Sequence, residues 1–241
     1  MAVSMDVALS GQLALARRLD TIAHNVANAT SAGFRAEAVR FETVLSNRTD
    51  RTSHFVSPGE TIVSRRQGPL VATGNLLDVA IDGDGWMAIE TPAGMGYTRD
   101  GRMQVAADGA LMTVTGFAVL DAGGAPIQID PSAGAIAIAR DGMISQNNKQ
   151  LGAIGLFGLA EDARLQRIEG SAVVSDRPGE AVLDFVANGV VQGYMENSNV
   201  NAVSEMVHLI EVSRAFEGLT RSITMREATL QNAIRTIGEA T

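Results

Sequence analysis

Residues 199–237 constrain this chain more than any other stretch. Leu209, Val212, Phe216, Leu219, Ile223, Leu230, Ala233 and Ile237 recur at alternating steps of three and four, with Arg226 the one polar interruption. That spacing lines one narrow stripe of an α-helix, the seam of a coiled coil rather than the broad face of a core helix. Asn201 stands where an N-cap is expected, with Glu205 in the first turn. Gly238 is the expected stop, in a left-handed cap. Gly218 interrupts the helix at a cost of about 1 kcal/mol relative to Ala. A stripe this long needs a partner of similar length.

Residues 3–29 supply one. Met1, Met5, Ala8, Gln12, Leu15, Leu19, Ile22 and Val26 follow the same spacing, with Gly11 a weak point and Gly33 the expected stop. A core helix of a compact domain is the plainer reading. The position of the two stripes at opposite ends of the chain, around a middle that reads quite differently, favours paired termini. Asn25 and Asn28 lie beside the stripe. Two readings stay open for them: interhelical hydrogen bonds that fix register, or a solvated helix end.

Residues 35–75 read as a connector. The helical pattern extends briefly over 36–45, and Pro58-Gly59 signals a turn. Short strands are expected at 61–64 and 70–73. The basic pair Arg65-Arg66 reads as a solvated loop rather than an anion site. From residue 76 the period changes to two. Leu77-Asp78-Val79-Ala80-Ile81 alternates as a half-buried strand does, and Trp86 begins a second. Turns are signalled at Asp100-Gly101, Asp108-Gly109, Gly123-Gly124, Asp141-Gly142 and Asn188-Gly189. Further strands are expected at 102–105, 111–114, 118–120, 127–129, 135–138, 153–158, 182–186 and 190–194, which suggests a small sandwich or irregular barrel. Only 4% of the residues are aromatic, so the core must be built mainly from aliphatic side chains.

Charge and composition narrow the function. A net charge of −8 argues against nucleic acid or an anionic membrane as main partner. The absence of cysteine excludes disulfides and thiolate-bound metals. No run of 18 or more apolar residues is present to span a bilayer. The N-terminus lacks the order of a secretory signal, so export would take an uncleaved, specialised route.

No catalytic constellation emerges. Gly83-Asp84-Gly85-Trp86-Met87-Ala88 fits the dinucleotide pattern G-x-G-x-x-A. That site needs a helix whose free amides face a pyrophosphate, and Pro92 would sit inside it. A hairpin turn is the expected reading; nicotinamide-cofactor titration separates the two. Asp78, Asp82 and Asp84 suggest calcium, but Trp86, Met87 and Ala93 stand where the loop needs ligands or glycine. His24, His54 and His208 lie at no ligand spacing. Acid pairs such as Glu161-Asp162 read as a solvated face. No enzyme activity and no cofactor are expected.

Three blocks, in order along nearly the whole chain, resemble the axial proteins of the bacterial flagellum, the rod and hook family. The first is Leu19-Asp20-Thr21-Ile22-Ala23-His24-Asn25-Val26-Ala27-Asn28-Ala29-Thr30-Ser31-Ala32-Gly33-Phe34-Arg35, in which His24 and Ala32 replace the family's commoner Asn and Pro. The second runs from Leu77 to Gly85-Trp86 and continues as Tyr97-Thr98-Arg99-Asp100-Gly101. The third is Gly193-Tyr194-Met195-Glu196-Asn197-Ser198-Asn199-Val200-Asn201, followed by Arg214-Ala215-Phe216-Glu217. Gly85-Trp86 and the short stretch from Phe34 to Leu77 resemble proximal-rod rather than distal-rod members.

The resemblance implies a structural rod subunit whose terminal helices pair in an inner tube while the β-domain faces outward. Its partners would be proximal and distal rod subunits, further copies of itself and the flagellar export apparatus. Its place would be the periplasmic rod of the basal body. A distal-rod or hook-type axial protein is the alternative within the family, and a binding module with an intramolecular coiled coil the alternative outside it. The expected fold class is α+β: a discontinuous coiled-coil domain from segments 1–34 and 197–241, a connector at 35–75 and a β-rich domain at 76–196. The expected assembly interface comprises Leu15, Leu19, Ile22, Asn25, Val26, Asn28, Gly33 and Phe34 near the N-terminus. Asn199, Val200, Leu209, Val212, Phe216, Leu219, Ile223 and Leu230 supply its other side.

Overall fold

A computed structural model describes residues 2–48, 51–57 and 59–238. The fold is α+β and divides into two compact units. Unit 1 joins Met1–Ala27, Glu37–Ile62 and Asn201–Thr241; unit 2 joins Asn28–Ala36 and Val63–Val200.

Unit 1 is built on two long helices, α1 (Ala2–Ala27) and α2 (Ala202–Gly238). Asn201 caps α2: its side-chain Oδ1 accepts from Ser204 N at 3.1 Å, and its carbonyl accepts from Glu205 N. The expected left-handed stop at Gly238 does not form there, because Gly238 is still helical. The helices run antiparallel. Asn25 lies opposite Glu205, and Gln12 Nε2 donates to Thr220 Oγ1 at 3.1 Å. Next to the second of these points a Cβ on Gly11 would sit 3.5 Å from Leu219 Cδ2, an ordinary contact.

Residues 36–45, expected to prolong the helix, are extended instead. β1 (Glu37–Arg40) and β2 (Thr43–Arg48) occupy them; β2 pairs with β3 (Arg51–Val56), and β1 pairs with β4 (Glu60–Val63). The cause is tertiary: Asn25 takes both backbone hydrogen-bonding groups of Glu37, donating to its O and accepting from its N at 2.8 Å each. A helix there would need those groups for itself. Pro58, of the expected turn, lies outside the described residues, and so do the side chains of His54 and Leu230.

Unit 2 is β-rich. Its largest sheet has six strands in the order Leu165–Arg167, Val173–Ser175, Gly94–Thr98, Trp86–Thr91, Leu156–Gly158, Glu180–Ala181. The strand Trp86–Thr91 shows why so aliphatic a chain can fold. Trp86 and Ala88 enter one cluster with Tyr97, Phe157 and Val173, while Met87 enters another with Ile81, Leu111, Ile144 and Leu156. Successive side chains point to opposite faces, and both faces are covered.

Some expected strands are less regular. Residues 118–120 and 127–129 make only isolated bridges. Residues 182–186 form no strand: Asp184 Oδ1 accepts from Val186 N at 2.9 Å, turning the chain, and Leu183 and Val186 are exposed. Gly83-Asp84-Gly85 is a turn, but not a hairpin. It joins Val79–Asp82, paired with Gly189–Gln192, to Trp86–Thr91 in the large sheet. Gly83 has φ of 114°, and a Cβ there would meet the carbonyl of Ala187.

Candidate functional site

The three sequence blocks converge in unit 2 on one buried carboxylate. The first block ends in a turn at residues 28–33, where Gly33 has φ of 65° and a Cβ would run into the backbone N of Asp100. That turn delivers Phe34 and Arg35 to the interior. The second block brings Trp86 and Arg99, and the third brings Glu196. Glu196 is wholly buried, and Arg35 and Arg99 are 1% exposed.

Glu196 Oε2 accepts from Arg99 Nη1 at 3.1 Å, and Oε1 accepts from the backbone N of Gly68 at 2.9 Å. Arg35 Nη2 lies 2.8 Å from Oε1, close enough for an ion pair but off the hydrogen-bond direction. The Glu196 carbonyl accepts from Gly33 N. Arg35 also donates to Arg65 O, and Arg99 to the carbonyls of Ile81 and Gly83. Both guanidinium carbons lie within 6 Å of the Trp86 ring centroid, at 5.7 and 5.5 Å, the range of cation–π attraction.

Burial pushes the Arg35 guanidinium down to about 10, helped by the charge of Arg99 and opposed by Glu196 and Asp84. Burial also lowers Arg99, against the pull of Glu196 and Asp84. The leading cause is the same for both: removal from water disfavours the charged guanidinium. Such a cluster is a clasp rather than a reactive centre, since every group is enclosed and the carboxylate is already occupied. Sequence reading quoted these residues only as letters of the blocks. Each block carries other charged residues as well, Asp20, Asp78, Asp82, Asp84, Asp100, Arg214 and Glu217 among them, so nothing in the blocks singles these three out.

The same junction takes several expected interface residues inside unit 2. Phe34 is wholly buried, and the Arg167 guanidinium lies 4.1 Å from its ring centroid. Asn199 donates to Arg66 O and Ser64 Oγ, and its Oδ1 accepts from Ala36 N at 2.7 Å. Gly33 is buried, Val200 half-buried, and Asn28 accepts from Ser31 Oγ within the turn. Gly33, Phe34 and Asn199 therefore fix the chain internally and leave little or no side-chain surface for a neighbour. The basic pair divides: Arg65 is half-buried and donates to the carbonyls of Leu159 and Ala163, while Arg66 stays exposed, as expected, and donates to that of Asn199.

The other expected residues lie on the helices of unit 1. Ile22, Asn25 and Val212 are buried; Leu15, Leu19, Val26, Leu209, Phe216, Leu219 and Ile223 are half-buried. Of the two readings for Asn25, the interhelical hydrogen bond is present, though long, and the solvated helix end is not. It is buried, but its short bonds go to β1, with only a 3.5 Å approach to Glu205 across the helices. His24 Nδ1 lies 3.4 Å from Glu37 Oε2. A groove of about 400 Å³ in unit 1 is lined by Ile22, Val39 and Phe41 beside Arg18, Glu37, Glu205 and His208.

Asp78, Asp82 and Asp84 do not gather. Asp78 accepts from Asn75, Asp82 pairs with Arg140, and the backbone N of Asp84 donates to Asn188. Among the described residues, no group of three His, Cys, Asp or Glu is placed to hold a metal. No described helix is long and apolar enough to cross a membrane. Gly83–Ala88 leads into a strand, so the helix a pyrophosphate would need does not follow it.

Three family models match the chain. One described as "Flagella basal body rod protein" matches residues 5–35. One described as "Flagellar hook protein FlgE/F/G D1 domain" matches 80–146, and one described as "Flagellar basal body rod FlgEFG protein C-terminal" matches 191–236. The flagellar basal-body rod protein FlgF of Mesorhizobium japonicum is 46% identical over 98% of both chains. That of Rhizobium meliloti is 44% identical over 99% of both. The rod protein FlgG of Agrobacterium fabrum is 32% identical over 92% of this chain and 94% of its own.

Proposed function

This chain belongs to the family of flagellar basal-body rod proteins, and from that premise we propose that it is a structural subunit of the proximal rod, not an enzyme, assembling through its terminal helices to carry torque in cell motility. The observation that carries this reading is similarity to FlgF proteins over nearly the whole chain, 46% and 44% identical for the two above and 35% for that of Caulobacter vibrioides. Identity with FlgG proteins is lower, 32% for that of A. fabrum and 27% for that of Bacillus subtilis. The distal-rod alternative is correspondingly weaker.

In this reading α1 and α2 form a discontinuous coiled-coil domain, and the β-rich unit stands as the outer domain. The seam residues Leu15, Leu19, Ile22, Leu209, Val212, Phe216, Leu219 and Ile223 hold the pair together. Each fully buried Leu, Ile or Phe contributes about 1.5–3 kcal/mol. The partners are other rod subunits and further copies of this chain, in the periplasmic part of the basal body. The chain travels there unfolded through the flagellar export apparatus without losing a signal segment. A cysteine-free sequence supports that route, since no disulfide can form before passage.

The test is deletion and complementation. Cells lacking the chain are expected to lose swimming and complete basal bodies, both restored by the wild-type chain, which copurifies with the basal body. Swimming cells with intact basal bodies in its absence would contradict the proposal.

A further inference from the structure

The residues that make the seam are used within one chain, so a neighbouring subunit must be met by something else. Each helix carries a second apolar face on the side away from the seam. On α2, Val203, Met206, Val207 and Ile210 follow the i, i+3, i+4, i+7 spacing of one face and are 74%, 50%, 51% and 54% exposed. On α1, Leu9 and Leu13 are 52% and 63% exposed. Apolar surface so grouped marks an interaction site in a soluble chain.

Charge selects the occupant. Arg214 follows the α2 patch by one turn on the same outward side, and Asp6 precedes the α1 patch by one turn; both are exposed. Set antiparallel, the two outward faces match in one register. Leu13 then stands opposite Val207, Leu9 opposite Ile210, and Asp6 opposite Arg214. The register is displaced by about three turns, or about 16 Å, from the one inside the chain, where Gln12 meets Thr220.

We propose that the outward face of α1 in one copy docks on the outward face of α2 in a second copy of this chain, with Leu9 and Leu13 against Val207 and Ile210 and Asp6 paired with Arg214. The two patches lie on opposite sides of the helix pair, each turned away from the seam, so one neighbour cannot meet both and the contact propagates around a ring or helix rather than closing as a dimer. This inference rests on the rod reading and specifies its contact. It makes the intermolecular surface the reverse side of the helices whose seam the sequence stripes trace.

The natural chain has no cysteine, so a chain carrying Leu13→Cys and Val207→Cys isolates this contact. Within one chain these positions are about 16 Å apart along the helix axes. A disulfide needs Cα atoms within about 7 Å. Expressed in place of the wild type and oxidised in assembled basal bodies, the double variant is expected to give a ladder of covalent multimers, while Leu13→Cys alone gives none. Swimming cells whose double-cysteine chain stays monomeric on oxidation overturn the proposal and leave the rod reading standing. Capture of a different rod protein in place of a second copy also overturns it. A second arm uses charge. Asp6→Arg is expected to reduce swimming, and adding Arg214→Asp to restore it. A double variant no better than the single, with both chains present at wild-type level, overturns the pairing.

Discussion

The two units solve opposite problems. Unit 2 closes on itself around one enclosed cluster, in which Glu196 is shared by two guanidiniums and a backbone N–H. Unit 1 closes only one face of each long helix and leaves Leu13 and Val203 in water. A unit whose buried charges answer one another places little demand on a neighbour. A helix with apolar residues on both faces is incomplete alone. The difference assigns order to the β-rich unit and assembly to the helices.

The sharpest way to break this contrast is at Glu196. Glu196→Ala leaves two buried guanidiniums without their carboxylate and is expected to destabilise unit 2 by about 3–5 kcal/mol. Denaturant unfolding of the full chain, followed by Trp86 fluorescence, reads it directly. An unchanged midpoint would show that the cluster is solvated and that unit 2 is less closed than described.

Leu219→Asp strikes the other side. It puts a carboxylate in the helix seam beside Gly11 and is expected to weaken the α1–α2 pairing by about 2–4 kcal/mol. Assembly and swimming are expected to be lost while the Trp86 signal of unit 2 stays native. Swimming cells carrying this change would remove the helices from the account.

Asn25→Ala removes both hydrogen bonds to the backbone of Glu37 and is expected to cost about 1–3 kcal/mol. Faster amide exchange confined to β1 and the end of α1 is the readout. Gly218→Ala should have the smallest effect and the opposite sign. Nothing lies within 4 Å of a Cβ there, so it is expected to stabilise α2 by about 1 kcal/mol, read as slower exchange around residue 218.

What was legible in the sequence follows the range of the forces involved. α2 could be read because spacing, cap and first-turn acid all lie within its own segment, and Asn201 does cap it. The strand Trp86–Thr91 could be read from the turn residues Gly83-Asp84-Gly85 before it, but its hairpin partner Gly94–Thr98 is not among the expected strands, because glycines at 94 and 96 leave no alternation to read. β1 could not, because its conformation is set by Asn25, on α1, and by pairing with β4. The Arg35–Glu196–Arg99 cluster was invisible for the same reason, since its members lie far apart in the chain and no single segment shows that they are buried. Phe34 and Asn199 stand in the matched blocks, and their burial within unit 2 could not be read there. A run of letters does not say whether a side chain faces inward or outward.

The central claim is that the terminal helices are completed only by neighbouring subunits, and amide hydrogen exchange on isolated chain and assembled basal bodies tests it most directly. The account predicts that α1 and α2 exchange rapidly in the isolated chain and become strongly protected in the rod, while unit 2 is protected equally in both. Helices as protected in the dilute monomer as in the rod would contradict it.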